Sequence, residues 1–167
     1  MLLSLTSAVK ASEDIKNPSF VIEKSRDEYM LSECHKPVWF VIELCDTVKI
    51  IRFETDNYEL YSGGPKLLSV SVSDKYSSRR ADWRHVGNFT VAAAKKTPAT
   101  FGDLAAAAVF ARFVWVEVLE NYDEEHYCTM TSFRVFGISE YEYLLEDDVN
   151  SSSSSSAHST RYLGTVR

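Results

Sequence analysis

Three cysteines, four histidines and the carboxylate run at 123 to 125 are among the groups in this chain with chemistry to offer. Cys34 and Cys128 sit in polar, loop-like surroundings, whereas Cys45 closes the apolar run VWFVIELC and reads as a small buried hydrophobe. A disulfide between Cys34 and Cys128 is the natural pairing; three reduced thiols in a reducing compartment is the alternative that the residues leave open. No CxxC or HxxxH pair gathers metal ligands. His35, His85, His126 and His158 are scattered, and no serine or cysteine stands in a nucleophile elbow. Asp123, Glu124 and Glu125 could supply an acid and a base, but three adjacent carboxylates at a tight corner read as a solvated turn. SGGP at 62 to 65 lacks the lysine and helix of a phosphate loop. These residues speak for binding rather than turnover.

The elements that position them are strands. LLSVSVSD sets Leu68, Val70 and Val72 on one face and Ser69, Ser71 and Ser73 on the other, the period of two of a half-exposed strand. VWFVIEL turns Val38, Phe40, Ile42 and Leu44 inward while Trp39 and Val41 are apolar too, so both its faces are expected to be covered. FVWVEVL alternates Val114, Val116 and Val118 against Phe113, Trp115 and Glu117. Further strands are expected at SFVIE (19–23), VKIIRFET (48–55), WRHVGNFTV (83–91) and SFRVFGI (132–138), separated by turn chemistry at SGGPK, SDKYSS and ENYDEEH. About seven or eight short strands so punctuated indicate an all-β, antiparallel sandwich or jelly roll. The alanines of GDLAAAAVFA (102–111) could support one helical turn before a strand.

The chain has 167 residues, 45% of them hydrophobic, enough for one domain with a core. A net charge of −6 disfavours a nucleic-acid or anionic-membrane surface, and Arg79, Arg80 and Arg84 read as a solvated loop. No run reaches the roughly 18 to 20 apolar residues of a membrane span. MLLSLTSAVKAS lacks the basic start of a signal peptide, so a lumenal domain would need delivery by a sequence not in this chain. Residues 1–16 are expected to be a flexible segment, 17–139 the domain, and 140–167 an acidic, then serine-rich flexible tail.

The succession DEYMLSEC, VWFVIELCD, NYELYSGGPK, VSVSDKY, Trp83, VGNF, RFVWVEVLENYDEEHYC and FRVFG resembles the SUN domain. Within that family it is similar to the SUN-like branch of endoplasmic reticulum membrane proteins that includes the osteopotentia, or SUN domain-containing ossification factor, group. The resemblance runs from Asn17 to Ile138. It implies a galactose-binding-like jelly roll, no enzymatic activity, and work in the endoplasmic reticulum or perinuclear lumen within a membrane complex that protects newly made proteins or tethers membranes.

The resemblance also implies that Cys34 and Cys128 are the two ends of the family's internal disulfide. Such a bridge would close a loop of roughly a hundred residues and stabilise by about 3 to 5 kcal/mol in the chain-entropy model. Nuclear-envelope relatives wrap a monovalent cation with backbone carbonyls, which would fall here near Glu23, Arg26, Glu28, Glu33 and Met130; no other cofactor is implied. Capture of a KASH-type peptide is not expected, because the sixteen residues before Asn17 hold neither cysteine nor hairpin signal, and no heptads build a trimer. Two departures stand out: the alanine-rich KKTPATFGDLAAAAVFARF, and Thr129, where the SUN-like branch commonly has proline. Asn88 and Asn150 lie in glycosylation sequons.

Two function classes follow. One is a protein-interaction module whose surface is Tyr122 to Met130 together with Tyr29 to His35, with Tyr29, His35, Tyr122, Glu125, His126 and Tyr127 as partner-binding residues. The other is a carbohydrate-binding module, for which Tyr58, Tyr61, Tyr76, Tyr122 and Tyr127 could serve as stacking platforms.

Overall fold

The computed structural model describes residues 2–3, 6–122 and 125–162. Its strands are β1 (Leu2–Leu3), β2 (Thr6–Ala11), β3 (Met30–Glu33), β4 (Val38–Asp56), β5 (Pro65–Ser73), β6 (Arg84–Thr90), β7 (Ala99–Phe101), β8 (Val109–Asn121), β9 (Tyr127–Met130) and β10 (Ser132–Ser139). Helix α1 (Glu140–Tyr162) follows. All strand pairs are antiparallel, in the order β1-β10-β4-β8-β5-β6, with β2 and β7 also on β4 and with β3-β9 as a separate ribbon. This is the expected antiparallel jelly roll.

The organising element is β4. VWFVIEL and VKIIRFET, expected as two strands, are one strand of 19 residues. Its first half pairs with β2 and β8, its second half with β10, β7 and the start of β8, and the register breaks between Glu43 and Val48. A bulge of this kind bends a strand and turns it into a second layer. Cys45 sits in that break and is exposed, not the buried hydrophobe its neighbours suggested, because the bulge removes it from the ladder that covers Leu44.

Between the layers lie Phe40, Phe53 and Phe133, all fully buried, with Phe40 edge-on to Phe133 at 5.7 Å and Phe53 tilted against it at 5.8 Å. Burying each such ring contributes about 1.5 to 3 kcal/mol. A second, smaller cluster covers the outer face: Val41, Trp83 and Trp115, with Trp39 and Phe113 packed on it. Trp39 stacks on Trp115 at 4.7 Å, and Trp83 meets Trp115 edge-on at 5.2 Å. Both faces of VWFVIEL are thus covered, as expected.

That outer cluster also changes β5. Ser69 and Ser71 are buried rather than exposed, because β5 is an inner strand and Ser71 registers with Trp115 of β8. Nor is the arginine loop wholly free: Arg80 bonds Glu117 at 2.9 Å and lies 4.8 Å from the Trp115 ring, capping the cluster.

Two further expectations are corrected, the strand at SFVIE and the flexible ends, and the turn in the alanine run is met. SFVIE is a 3-10 turn (Pro18–Ile22), since Pro18 cannot donate to a ladder and Asn17 takes a left-handed conformation. The alanine run makes one turn, Ala107 N–H to Leu104 C=O, and Ala108 at φ 46° ends it before β8. The two expected flexible ends hold structure: β2 joins the sheet through β4, and residues 140–162 are helical. The helix begins at a capping box, where the Ser139 hydroxyl accepts from Glu142 N–H and the Glu142 carboxylate accepts from Ser139 N–H, both at 3.1 Å. Ser151, Ser152 and Ser153 continue it by donating back to the carbonyls three residues earlier.

Candidate functional site

One end of the sandwich is tied together by covalent and polar links. The β3-β9 ribbon sets Ser32 opposite Cys128, and just beyond it the disulfide joins Cys34 to Cys128 with Cα atoms 5.0 Å apart. Cys34 N–H donates to His126 C=O at 3.0 Å, and Asn121 Nδ2 donates to Cys34 C=O at 3.4 Å. Gly63 threads behind the bridge, giving its N–H to Tyr127 C=O and taking Thr129 N–H on its own carbonyl. A Cβ there would stand 2.9 Å from the Tyr122 carbonyl oxygen and 3.0 Å from Cys128 Sγ, so glycine is required by the close approach.

Beside the bridge, residues 57–62 form a loop built on buried polar groups. Asn57 donates to Thr129 C=O and accepts from Thr129 Oγ1, each at 3.1 Å. With that hydroxyl proton committed, Ser62 Oγ is the donor in its 2.5 Å contact with Thr129. Asn57 Oδ1 also accepts from Glu59 N–H, and Thr131 Oγ1 from Tyr58 N–H. Lys95 spans the loop, donating to Glu59 C=O at 2.9 Å and Ser62 C=O at 2.8 Å. Every turn of backbone is held, while Leu60 and Tyr61 at the tip are 51% and 90% exposed.

Thr129, noted as a departure, is therefore central. It is buried, and proline at that position would lose both the N–H bond to Gly63 and the hydroxyl that links Asn57 to Ser62. Beneath it Asp56 accepts from Ser132 Oγ at 2.7 Å and pairs with Arg134 at 2.8 Å, fastening β4 to β10.

The expected partner-binding residues divide. Tyr127 is 47% exposed, with the His126 ring edge-on at 4.5 Å, and Glu125, His126 and His35 are exposed beside it. Tyr29 is half-buried at the entry to β3. Tyr122 is tethered, not displayed: its hydroxyl donates to Val91 C=O at 2.7 Å, and it lines a small cleft of about 70 Å³ with Asn57, Pro65, Val91 and Lys95. Asp123 and Glu124 lie outside the described residues. Leu60 and Lys95 were not singled out from sequence; the turn-rich NYELYSGG was the available signal.

The residues expected near a cation fall into two groups. Glu23 and Glu28 share an exposed loop, where local desolvation, then a hydrogen bond and charge from Glu23, then Asp27, push the Glu28 carboxyl above its ordinary range. Arg26 lies 5.2 Å from the Tyr58 ring, Glu33 faces Lys36 at 3.7 Å, and buried Met130 is paired with Met30. Among the described residues no three His, Cys, Asp or Glu side chains converge as a metal site. The hydrogen bond from Lys36 to Asp14, then the charges of Asp14 and Glu33, raise the lysine. Both sequon asparagines, Asn88 on β6 and Asn150 on α1, are exposed. His35, His85 and His126 are likewise exposed, and Asn88 registers with Ser69.

Comparison with known proteins follows the same division between fold and site. The fold is that of carbohydrate-binding domains: CBM32 of AlyQ, solved with 4,5-unsaturated mannuronic acid, covers 81% of this chain and 98% of its own at TM-score 0.65 and 14% identity. CBM32-3 from a Clostridium perfringens family 31 glycoside hydrolase covers 80% and 91% at TM-score 0.66 and 11% identity. By sequence, the human SUN domain-containing ossification factor is 32% identical over 148 residues, 84% of this chain and 12% of the relative. "Uncharacterized protein slp1" of Schizosaccharomyces pombe is 30% identical over 145 residues, and Arabidopsis thaliana SUN domain-containing protein 5 is 29% identical over 140. They cover 84% and 83% of this chain. The chain spans only 22% and 24% of their lengths. Residues 11–139, from the end of β2 to the end of β10, match the Sad1/UNC-like C-terminal family model, and the chain belongs to that family, the SUN domains.

Proposed function

We propose that this domain is a non-catalytic protein-interaction module of the endoplasmic reticulum or perinuclear lumen, acting within a membrane complex and receiving its partner at the disulfide corner. The observation that carries the reading is Tyr61, 90% exposed, with Leu60 and Tyr127, on backbone held by Lys95, Asn57, Thr129 and the bridge. Exposed aromatic anchors on a loop that needs no ordering are what tight partner binding favours, since the entropy of immobilisation is already met. The disulfide fits an oxidising compartment, and an exposed Asn88 is compatible with a glycan there.

The likeness to domains solved with sugars, together with Tyr61, favours a carbohydrate-binding module as the second reading. The test is proximity labelling in the lumen, comparing wild type with Tyr61→Ala/Tyr127→Ala. Loss of a defined set of labelled proteins, with Cys34–Cys128 intact by non-reducing peptide mapping, supports the reading. An unchanged set overturns it. Glycan-array binding that disappears on Tyr61→Ala replaces it with the sugar-binding alternative.

A further inference from the structure

Helix α1 leaves most of its apolar residues uncovered. Tyr143 is the side chain that anchors it, edge-on to Phe110 at 5.3 Å and under Lys49 Nζ at 4.9 Å. Residues two positions from Tyr143 lie about 200° round a helix, on its far side. That far side carries Tyr141, Leu145 and Val149, with Leu144 at its edge, spaced i, i+4, i+8 and i+3, which is the spacing of an apolar seam. Their exposures are 71%, 46%, 67% and 56%. A helix that served only to cover the sheet would turn this seam toward the domain and its carboxylates toward water.

The charges around the seam select its occupant. From Glu140 to Asn150 there are five carboxylates, Glu140, Glu142, Glu146, Asp147 and Asp148, and no basic residue. A second copy of α1 would set five carboxylates against five, and an anionic bilayer is disfavoured in the same way. We infer that the outward face of α1 is a docking seam for a basic amphipathic helix of a partner protein, with Leu144 and Val149 entering its apolar stripe and Lys or Arg on its flanks meeting the exposed Glu146 and Asp147. Such pairing is the helix-against-helix mode in which apolar anchors give affinity and flanking charges set partner choice. This surface is separate from the disulfide corner and stands without it.

The test uses the full chain and a fluorescent 18-residue peptide with leucines at i, i+3, i+4 and i+7 and lysines between them, read by polarisation at low and high salt. Expected is saturable binding that weakens as salt rises, and a loss of about tenfold or more on Leu144→Ser/Val149→Ser, a size ordinary for central anchors. Because these side chains are exposed, the melting temperature of that variant should match wild type. Glu146→Lys/Asp147→Lys should also weaken the peptide, while Tyr61→Ala/Tyr127→Ala should leave it unchanged, which separates this seam from the corner. Equal binding of a scrambled peptide of the same composition overturns the inference. So does unchanged binding by the Leu144→Ser/Val149→Ser variant, or sedimentation of the chain as a dimer that the same variant abolishes.

Discussion

The outer face of the sheet and the disulfide corner are both rich in aromatic side chains, and they treat them in opposite ways. Trp83 and Trp115 are 7% and 6% exposed, yet Tyr61 and Tyr127 are 90% and 47% exposed. Trp115 projects from β8 beside Trp39 of the adjacent β4, which stacks on it, and Trp83, just ahead of β6, meets it edge-on, so each covers the next. At the corner the order is reversed. Buried polar groups hold the backbone, and the rings stand out from it, Tyr127 with only the exposed His126 edge-on to it among the described ring contacts. Aromatic content therefore says little about display; whether a regular ladder or a cross-linked loop carries the ring decides it.

That contrast can be broken at several points. The largest effect is expected from Cys34→Ser/Cys128→Ser, which opens a loop with a sequence separation of 94. The chain-entropy model puts the loss at about 4.7 kcal/mol, to be read by denaturant unfolding. Partner retention should fall with it; a lower midpoint with undiminished binding would show that the corner does not depend on its bridge. Trp115→Ala should cost about 3 kcal/mol through lost packing, with binding at the corner unaffected, because the outer face contributes cover and not display. Gly63→Ala should cost about 2 kcal/mol by overpacking against the Tyr122 carbonyl and the bridge. Tyr61→Ala is the smallest change in stability, within about 0.5 kcal/mol, and the sharpest test of display because only binding should respond.

Much of the fold was legible because strands announce themselves by alternation. Leu68, Val70 and Val72, Phe40 and Ile42, and Val114 and Val116 are all buried as their spacing requires. What alternation does not encode is the neighbour. Ser71 is buried by Trp115, a residue 44 positions away, and Cys45 is expelled by a bulge that no local composition marks. The helix was missed for a different reason. Six serines read as a tail, but Ser139 and Glu142 three residues apart were the start signal, ahead of the serines. At the site, the polar settings of Cys34 and Cys128 pointed to the disulfide with reduced thiols left open, resemblance strengthened it, and Tyr127 came from its place beside Cys128. Lys95 and Leu60 were illegible because a carbonyl-capping lysine and a loop-tip leucine acquire meaning only once the loop has closed.

The position of the two bridged cysteines has a consequence in time. At about 5 to 20 residues per second, Cys34 emerges from the ribosome roughly 5 to 20 s before Cys128. During that interval β3 has no β9 to pair with, so the ribbon is among the last parts of the fold to assemble. Cys45 appears only eleven residues after Cys34, and the finished domain never hides it. The first disulfide open to the growing chain is thus the wrong one, and reaching the native corner depends on a thiol being kept waiting or being exchanged.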